Sequence, residues 1–331
     1  MLKVLQKKKP DRPVLFELFL NGELYDMLSA GTFEYKNDGQ DNNRRIIMSY
    51  YKAGYDYAPI RVLSYSAHIG EAKVQPRDKT ISLNDGAIIT DWESFEKIKW
   101  QDPANCSDEF FEKCVNFIPE GMKLMTVGTG GLLEGVIYFM GYDNLCLLIH
   151  DEPELVAQVF NTIGSNLLKY YQLSLEYDEV GGIISHDDWG FNTQTMLSPE
   201  DMRKYVFPWH KRIVEAAHAK GKPVILHSCG NMEEIADDII YDMKFDGKHS
   251  YEDNIMPVEE AYKKYHDKFA VIGGIDVDFI VRRTPEEITE RSLKMLELSD
   301  KDGSFALGTG NSVPTYIPPE KYFAMTKAAF M

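Results

Sequence analysis

The second half of this chain alternates short, nearly continuous apolar runs with long amphipathic helical patterns, and few architectures accept that alternation. The runs are 181–185 (GGIIS), 223–227 (PVILH), 269–272 (FAVI) and 304–307 (SFAL). Strands buried on both faces of a parallel sheet read this way, because neither face meets water. The helix starts between them are legible. Asp151 with Glu154 forms a capping-box pattern ahead of Leu155, Val156, Val159, Phe160, Ile163 and Leu167, which share one helical face. Ser198-Pro199-Glu200-Asp201 and Thr284-Pro285-Glu286-Glu287 each place a cap and then a first-turn proline. Gly221 closes the helix that feeds PVILH.

The first half is less regular. Strand-like runs fall at 14–19, 57–63 and 122–127, with a helix predicted over 44–54. Asn84-Asp85-Gly86 between the β-prone stretches 79–83 and 87–90 predicts a hairpin. Adding 181–185, 223–227, 245–249, 269–273 and 304–308 brings the count to about eight strands separated by helices. That points to a closed barrel or a doubly wound open sheet. No Gly-x-Gly-x-x-Gly follows the first strand and no Walker loop occurs, which disfavours the open nucleotide-binding sheet. The expectation is a single-domain (β/α)8 TIM barrel over 1–331, with the β-hairpin as an insertion in the N-terminal half.

Composition narrows the function. A net charge of −16, with Lys7-Lys8-Lys9 the only basic run, argues against nucleic-acid binding. Four cysteines without a CxxC pair make no disulfide framework, so a reducing compartment is expected. No signal-peptide pattern and no membrane-length apolar stretch is seen, so the expected location is cytoplasmic, with no membrane partner. A homodimer is left open.

Barrel enzymes carry their chemistry at the C-terminal ends of the strands. Those ends here read His186-Asp187-Asp188-Trp189, His227-Ser228-Cys229-Gly230, Lys248-His249-Ser250 with Glu252, then Asp276, and Gly308-Thr309-Gly310-Asn311. His227 and Cys229, two apart in an extended segment, point to one side, and an imidazole with a thiolate suits zinc. The alternative is a turn in which His227 caps backbone groups and Cys229 is a small buried filler. Further ligands would come from Glu252, His249, Asp187, Asp188 or the substrate. Asp187, Asp188 and His249 are candidate acid/base groups. Asp276 is either catalytic or the N-cap of the next helix. Glu17 in an apolar strand needs a partner or a place at the mouth. With Asp56, Tyr57, Trp189 and Asn311 it forms the candidate substrate-binding set, although Trp189 also suits packing and Asn311 its own turn.

The stretches LSPEDMRKYVFPWHKRIVEAAHAKGKPVILHSCGN, Gly273 to Asp276 and LGTGNSVP resemble the uroporphyrinogen decarboxylase superfamily, which includes zinc- and corrinoid-linked methyltransferases. The resemblance implies a (β/α)8 barrel with a deep polar cleft. Two departures separate the branches. The first turn, Phe16 to Gly22, lacks the arginines with which true decarboxylases grip substrate carboxylates, and Thr309 replaces their last-turn histidine. His227 and Cys229 match the zinc motif of the methyltransferase branch, while Thr309 stands where that branch usually adds a cysteine. The resemblance therefore implies a zinc-dependent methyltransferase acting on a small-molecule methyl donor or acceptor, with a corrinoid supplied by a separate partner protein. The alternatives are a metal-free decarboxylase using Asp187, Asp56 and Tyr57, and a non-catalytic binder of a tetrapyrrole or small metabolite.

Overall fold

The computed structural model describes residues 1–34, 41–66 and 87–331. Seven parallel strands follow one another in chain order: β1 (Tyr57–Ile60), β2 (Lys123–Val127), β3 (Val180–His186), β4 (Val224–His227), β5 (Gly247–His249), β6 (Ala270–Ile272) and β7 (Phe305–Ala306). Consecutive parallel neighbours require a crossover at each step, and helices packed on the outside provide it. This is the α/β barrel expected from the alternation of patterns.

The eighth expected strand is only partly one. Residues 14–16 join the sheet through a single parallel bridge, Leu15 with Leu307, carried by Phe16 N–H to Leu307 O and Leu307 N–H to Val14 O, both 2.8 Å. On the other side, no backbone hydrogen bond among the described residues links this segment to β1. Side chains fill the gap. Tyr57 Oη accepts the Glu17 N–H at 3.0 Å and donates to the Glu17 carbonyl at 2.5 Å. Tyr50, on the helix Asp41–Lys52, puts its hydroxyl 3.2 Å from the carbonyls of Glu17 and Leu18. Two phenols thus satisfy main-chain groups that a strand neighbour ordinarily would.

The helices follow their caps with one exception. The Thr284–Glu287 box opens the helix Pro285–Ser299, and Ser198 Oγ accepts the Asp201 N–H at 3.1 Å. Asp151, however, does not cap the long helix Pro153–Ser174. It ends the preceding helix Tyr142–Asp151, and Pro153, which cannot extend that helix, starts the next. The apolar face read from the sequence is buried along Pro153–Ser174. Of the expected hairpin, 79–86 lies outside the described residues, and 87–90 forms no strand. Among the described residues no single helix is long and apolar enough to cross a membrane.

Closure at Leu15–Leu307 depends on Gly308. A Cβ there would lie 1.8 Å from the Phe16 carbonyl oxygen, which is backbone and cannot move aside. Gly308→Ala should cost about 3 kcal/mol or more in urea unfolding, at the upper end of overpacking effects. Gly135→Ala, inside the helix Leu132–Met140 with its nearest contact at 3.4 Å, should be neutral or stabilising.

Candidate functional site

The register of the sheet places His186, His227 and His249 side by side at the C-terminal ends of β3, β4 and β5. His249 is fully buried, and its Nε2 lies 3.0 Å from the carbonyl of Thr309. A carbonyl only accepts, so Nε2 carries the hydrogen and Nδ1 carries the lone pair. That Nδ1 is 2.8 Å from His227 Nδ1, which must therefore be the donor. His227 is left with a lone pair on Nε2. Burial, helped by the neighbouring His249, keeps His227 well below the usual imidazole range, and burial holds His249 down to about 3. Both rings are neutral.

The free Nε2 of His227 faces Cys229 Sγ at 3.9 Å. Asp188 Oδ1 accepts the Cys229 N–H at 2.9 Å, and one ligand atom from each of Asp188, His227 and Cys229 falls within 4.8 Å of the others. Cys229 also accepts from Asn311 Nδ2 at 3.3 Å and Ser250 Oγ at 3.7 Å. Burial, and then the Asp188 charge, push its thiol up to about 12. Gly230 makes the convergence feasible. It adopts φ +90°, and a Cβ on it would sit 2.1 Å from the Gly190 carbonyl oxygen, so the loops after β3 and β4 touch backbone to backbone.

Other candidates lie elsewhere. Asp187 is fully buried behind the rim and accepts from Leu133 N–H, Glu134 N–H, Trp189 Nε1 and His210 Nε2 at 2.8–3.1 Å. Its lone pairs are committed to anchoring the helix Leu132–Met140. Trp189 has no exposed surface and packs on Phe207, His210 and Phe245, so it is core and does not stack on a ligand. Asp276 caps the helix Val277–Arg282 through Phe279 N–H and accepts Asp253 N–H with its other oxygen. Asp56 precedes β1 and sits at the opposite end of the barrel, paired with Arg12 and the Met1 amino group. Tyr57 and Glu17 lie in the closed seam. Glu252 is half-buried and near enough to Asp188 and Lys248 to feel their charges, yet it stands outside the three-donor cluster.

Glu134 is a rim residue that sequence reasoning missed. It caps Gly131 N–H at 3.2 Å, and burial together with the Asp187 and Asp188 charges raises its carboxyl to about 8. The Gly-Leu-Leu-Glu pattern after β2 is its only sequence signal. Lys248 is buried over the Tyr251 ring, donates to the Ser250 and Ser228 carbonyls, and is held down to about 8 by burial.

The buried histidines predict an acid limb in stability. His249 binds its proton near 3 when folded and near 6.5 when unfolded. Between these values the unfolded chain holds more protons, so its contribution to stability is complete above pH 6.5 and is lost as pH falls, by about 1.4 kcal/mol per pH unit. Urea titrations at pH 5, 6 and 7 should show this slope reduced in His249→Asn.

The family model for uroporphyrinogen decarboxylase (URO-D) matches residues 1–330. The uroporphyrinogen decarboxylase of Myxococcus xanthus (strain DK1622) is 28% identical over 173 residues, 51% of this chain and 46% of that protein, so the match spans under half of that relative. Among solved structures, a methyltransferase from Methanosarcina mazei superposes with a TM-score of 0.72 at 14% identity, covering 99% of this chain and 96% of that one. A putative vitamin-B12-independent methionine synthase from Listeria monocytogenes follows at 0.54 and 11%, covering 97% and 98%. At these identities the superpositions bear on fold alone, whereas a sequence match running nearly end to end bears on descent: the chain belongs to the uroporphyrinogen decarboxylase (URO-D) family.

Proposed function

We propose that this chain is a methyltransferase whose site holds a divalent metal, zinc by ligand type, between Asp188, His227 and Cys229. The observation that carries the proposal is the convergence of one carboxylate, one imidazole lone pair and one sulfur at the barrel rim. The donors suit the ion. Asp188 and a Cys229 thiolate together bring two negative charges, and a cation relieves the penalty that keeps the buried thiol protonated. Asp188 takes the place in the ligand set first expected of Glu252. The fold shared with a methyltransferase over nearly the whole chain is compatible with this reading.

When bound, the metal supplies Lewis acidity that lowers the pKa of a thiol or polarises a methyl-bearing heteroatom. The remaining chemistry belongs to the chain. His249 and the Thr309 carbonyl hold His227 in the tautomer that exposes Nε2. Asn311 Nδ2 and Ser250 Oγ steady the charge on Cys229 Sγ. Glu134 keeps a proton at neutral pH beside Asp188 and is the candidate acid for a leaving heteroatom. The methyl group is carried by a separate corrinoid protein docking over the mouth, and the other substrate is a small molecule. Decarboxylation of a small acid is the second reading, favoured by the name of the Myxococcus relative. The acids Asp188 and Glu252 around the mouth disfavour a polycarboxylate substrate.

The test is metal content after purification without chelator, beside methyl transfer from methylcobalamin to a panel of thiols. Wild type should carry about one zinc per chain. Cys229→Ser and Asp188→Asn should lose at least about 100-fold in affinity, beyond the range for losing an outer partner of a ligand. Glu252→Gln should keep the metal. Metal-free wild type that releases carbon dioxide from a small acid overturns the proposal in favour of the second reading.

A further inference from the structure

Thr309 is the point where the seam of the barrel meets the rim. Its N–H donates to Glu17 Oε1 at 2.8 Å, and its Oγ1 contacts both Glu17 Oε2 and the Asn311 carbonyl oxygen. Its own carbonyl accepts from His249 Nε2 and from the Gly274 N–H, each at 3.0 Å. A hydroxyl has one hydrogen. Were Glu17 ionised, Thr309 Oγ1 would face two acceptors and satisfy one, leaving two oxygens in contact with no hydrogen between them.

We infer that Glu17 works as an un-ionised carboxylic acid whose Oε2–H donates to Thr309 Oγ1, making it the positioning residue for the histidine pair and Asn311 at the rim. One proton then completes the chain: Oε2–H to Oγ1, Oγ1–H to the Asn311 carbonyl, and Thr309 N–H to the carbonyl-type Oε1. The arrangement holds residues 309–311 in place. Through them it sets the oxygen that orients His249, hence His227, and the amide that reaches Cys229.

The surroundings agree. Glu17 has no exposed surface, and the titratable groups near enough to feel its charge are the phenols Tyr25, Tyr50, Tyr55, Tyr57 and Tyr322. Among the described residues no cation pairs with it, and burial raises its carboxyl to about 8. Thr309 serves the site through its hydrogen bonds to Glu17, His249 and Asn311.

The consequence for metal binding rests on the proposed function; the protonation state and the tautomers do not. The test compares Glu17→Gln, which keeps one donor and one acceptor, with Glu17→Leu, which keeps neither. At pH 7 the infrared difference between wild type and Glu17→Gln, in which the Glu134 acid common to both cancels, should contain a carboxylic-acid C=O band that shifts in D2O. Nitrogen-15 spectra of the metal-free protein should show His249 as the Nε2–H tautomer and His227 as the Nδ1–H tautomer in wild type and Glu17→Gln, and mixed tautomers in Glu17→Leu. Cobalt(II) affinity should stay within about 3-fold in Glu17→Gln and drop about 10- to 100-fold in Glu17→Leu, the range for loss of an outer partner. If Glu17→Leu does not fold, Thr309→Val, which removes only the hydroxyl, takes its place with the same expectation. A missing acid band, or Glu17→Gln as damaged as Glu17→Leu, overturns the inference. If wild type binds no cobalt, the proposed function fails while the band and the tautomers still decide the state of Glu17.

Discussion

Main-chain polar groups cannot be left dry, and in this barrel that requirement is hardest to meet at the seam. The segment around Glu17 lies on β7 along one edge through the Leu15–Leu307 bridge, and along the other it has phenol hydroxyls in place of a strand. Tyr50 and Tyr57 are both buried, and their rings pack with Tyr55 in one aromatic cluster. The same rings that complete the seam surround the Glu17 carboxyl. Closing the barrel and building its rim are one packing problem, with Thr309 belonging to both.

The rim follows from register. Parallel pairing lines up His186, His227 and His249, and the rings of His227 and His249 are in contact, so the orientation of one constrains the other. Because the last acceptor in the row is a carbonyl, the direction of every hydrogen between His227 and Thr309 is determined. A side-chain acceptor able to reverse its role would have left His227 without a defined free nitrogen.

Most of the fold was legible in the sequence because β3 to β7 are buried on both faces and carry no alternation to misread. The exceptions have local causes. Asp151 looked like a cap, but the helix before it runs to that residue, and Pro153 makes the break. The first strand is apolar like the rest, yet its partner on one side is a set of hydroxyls that no hydrophobic pattern reveals. At the site, the His-x-Cys spacing was readable, since two positions apart at a strand end leaves little freedom. Which acid stands beside that pair was left open by the sequence between Asp187, Asp188 and Glu252, and only the fold brings Asp188 within reach of it, through the Cys229 N–H. Asp56 was placeable from strand direction alone: it precedes β1, and a parallel barrel puts that end opposite the mouth. Glu134 escaped notice because it comes from a helix start, where a capping glutamate is ordinary.

The backbone contact between Gly190 and Gly230 gives the mouth an asymmetry. With the loops after β3 and β4 pressed together, neither can swing out without carrying the other. The loops after β5, β6 and β7 instead border a wide cleft lined by Glu252, Asp276, Arg282, Asn311 and Tyr316. A visitor to Cys229 thus has a fixed wall on one flank and an approach on the other, and the last group it passes on that approach is the side chain of Asn311.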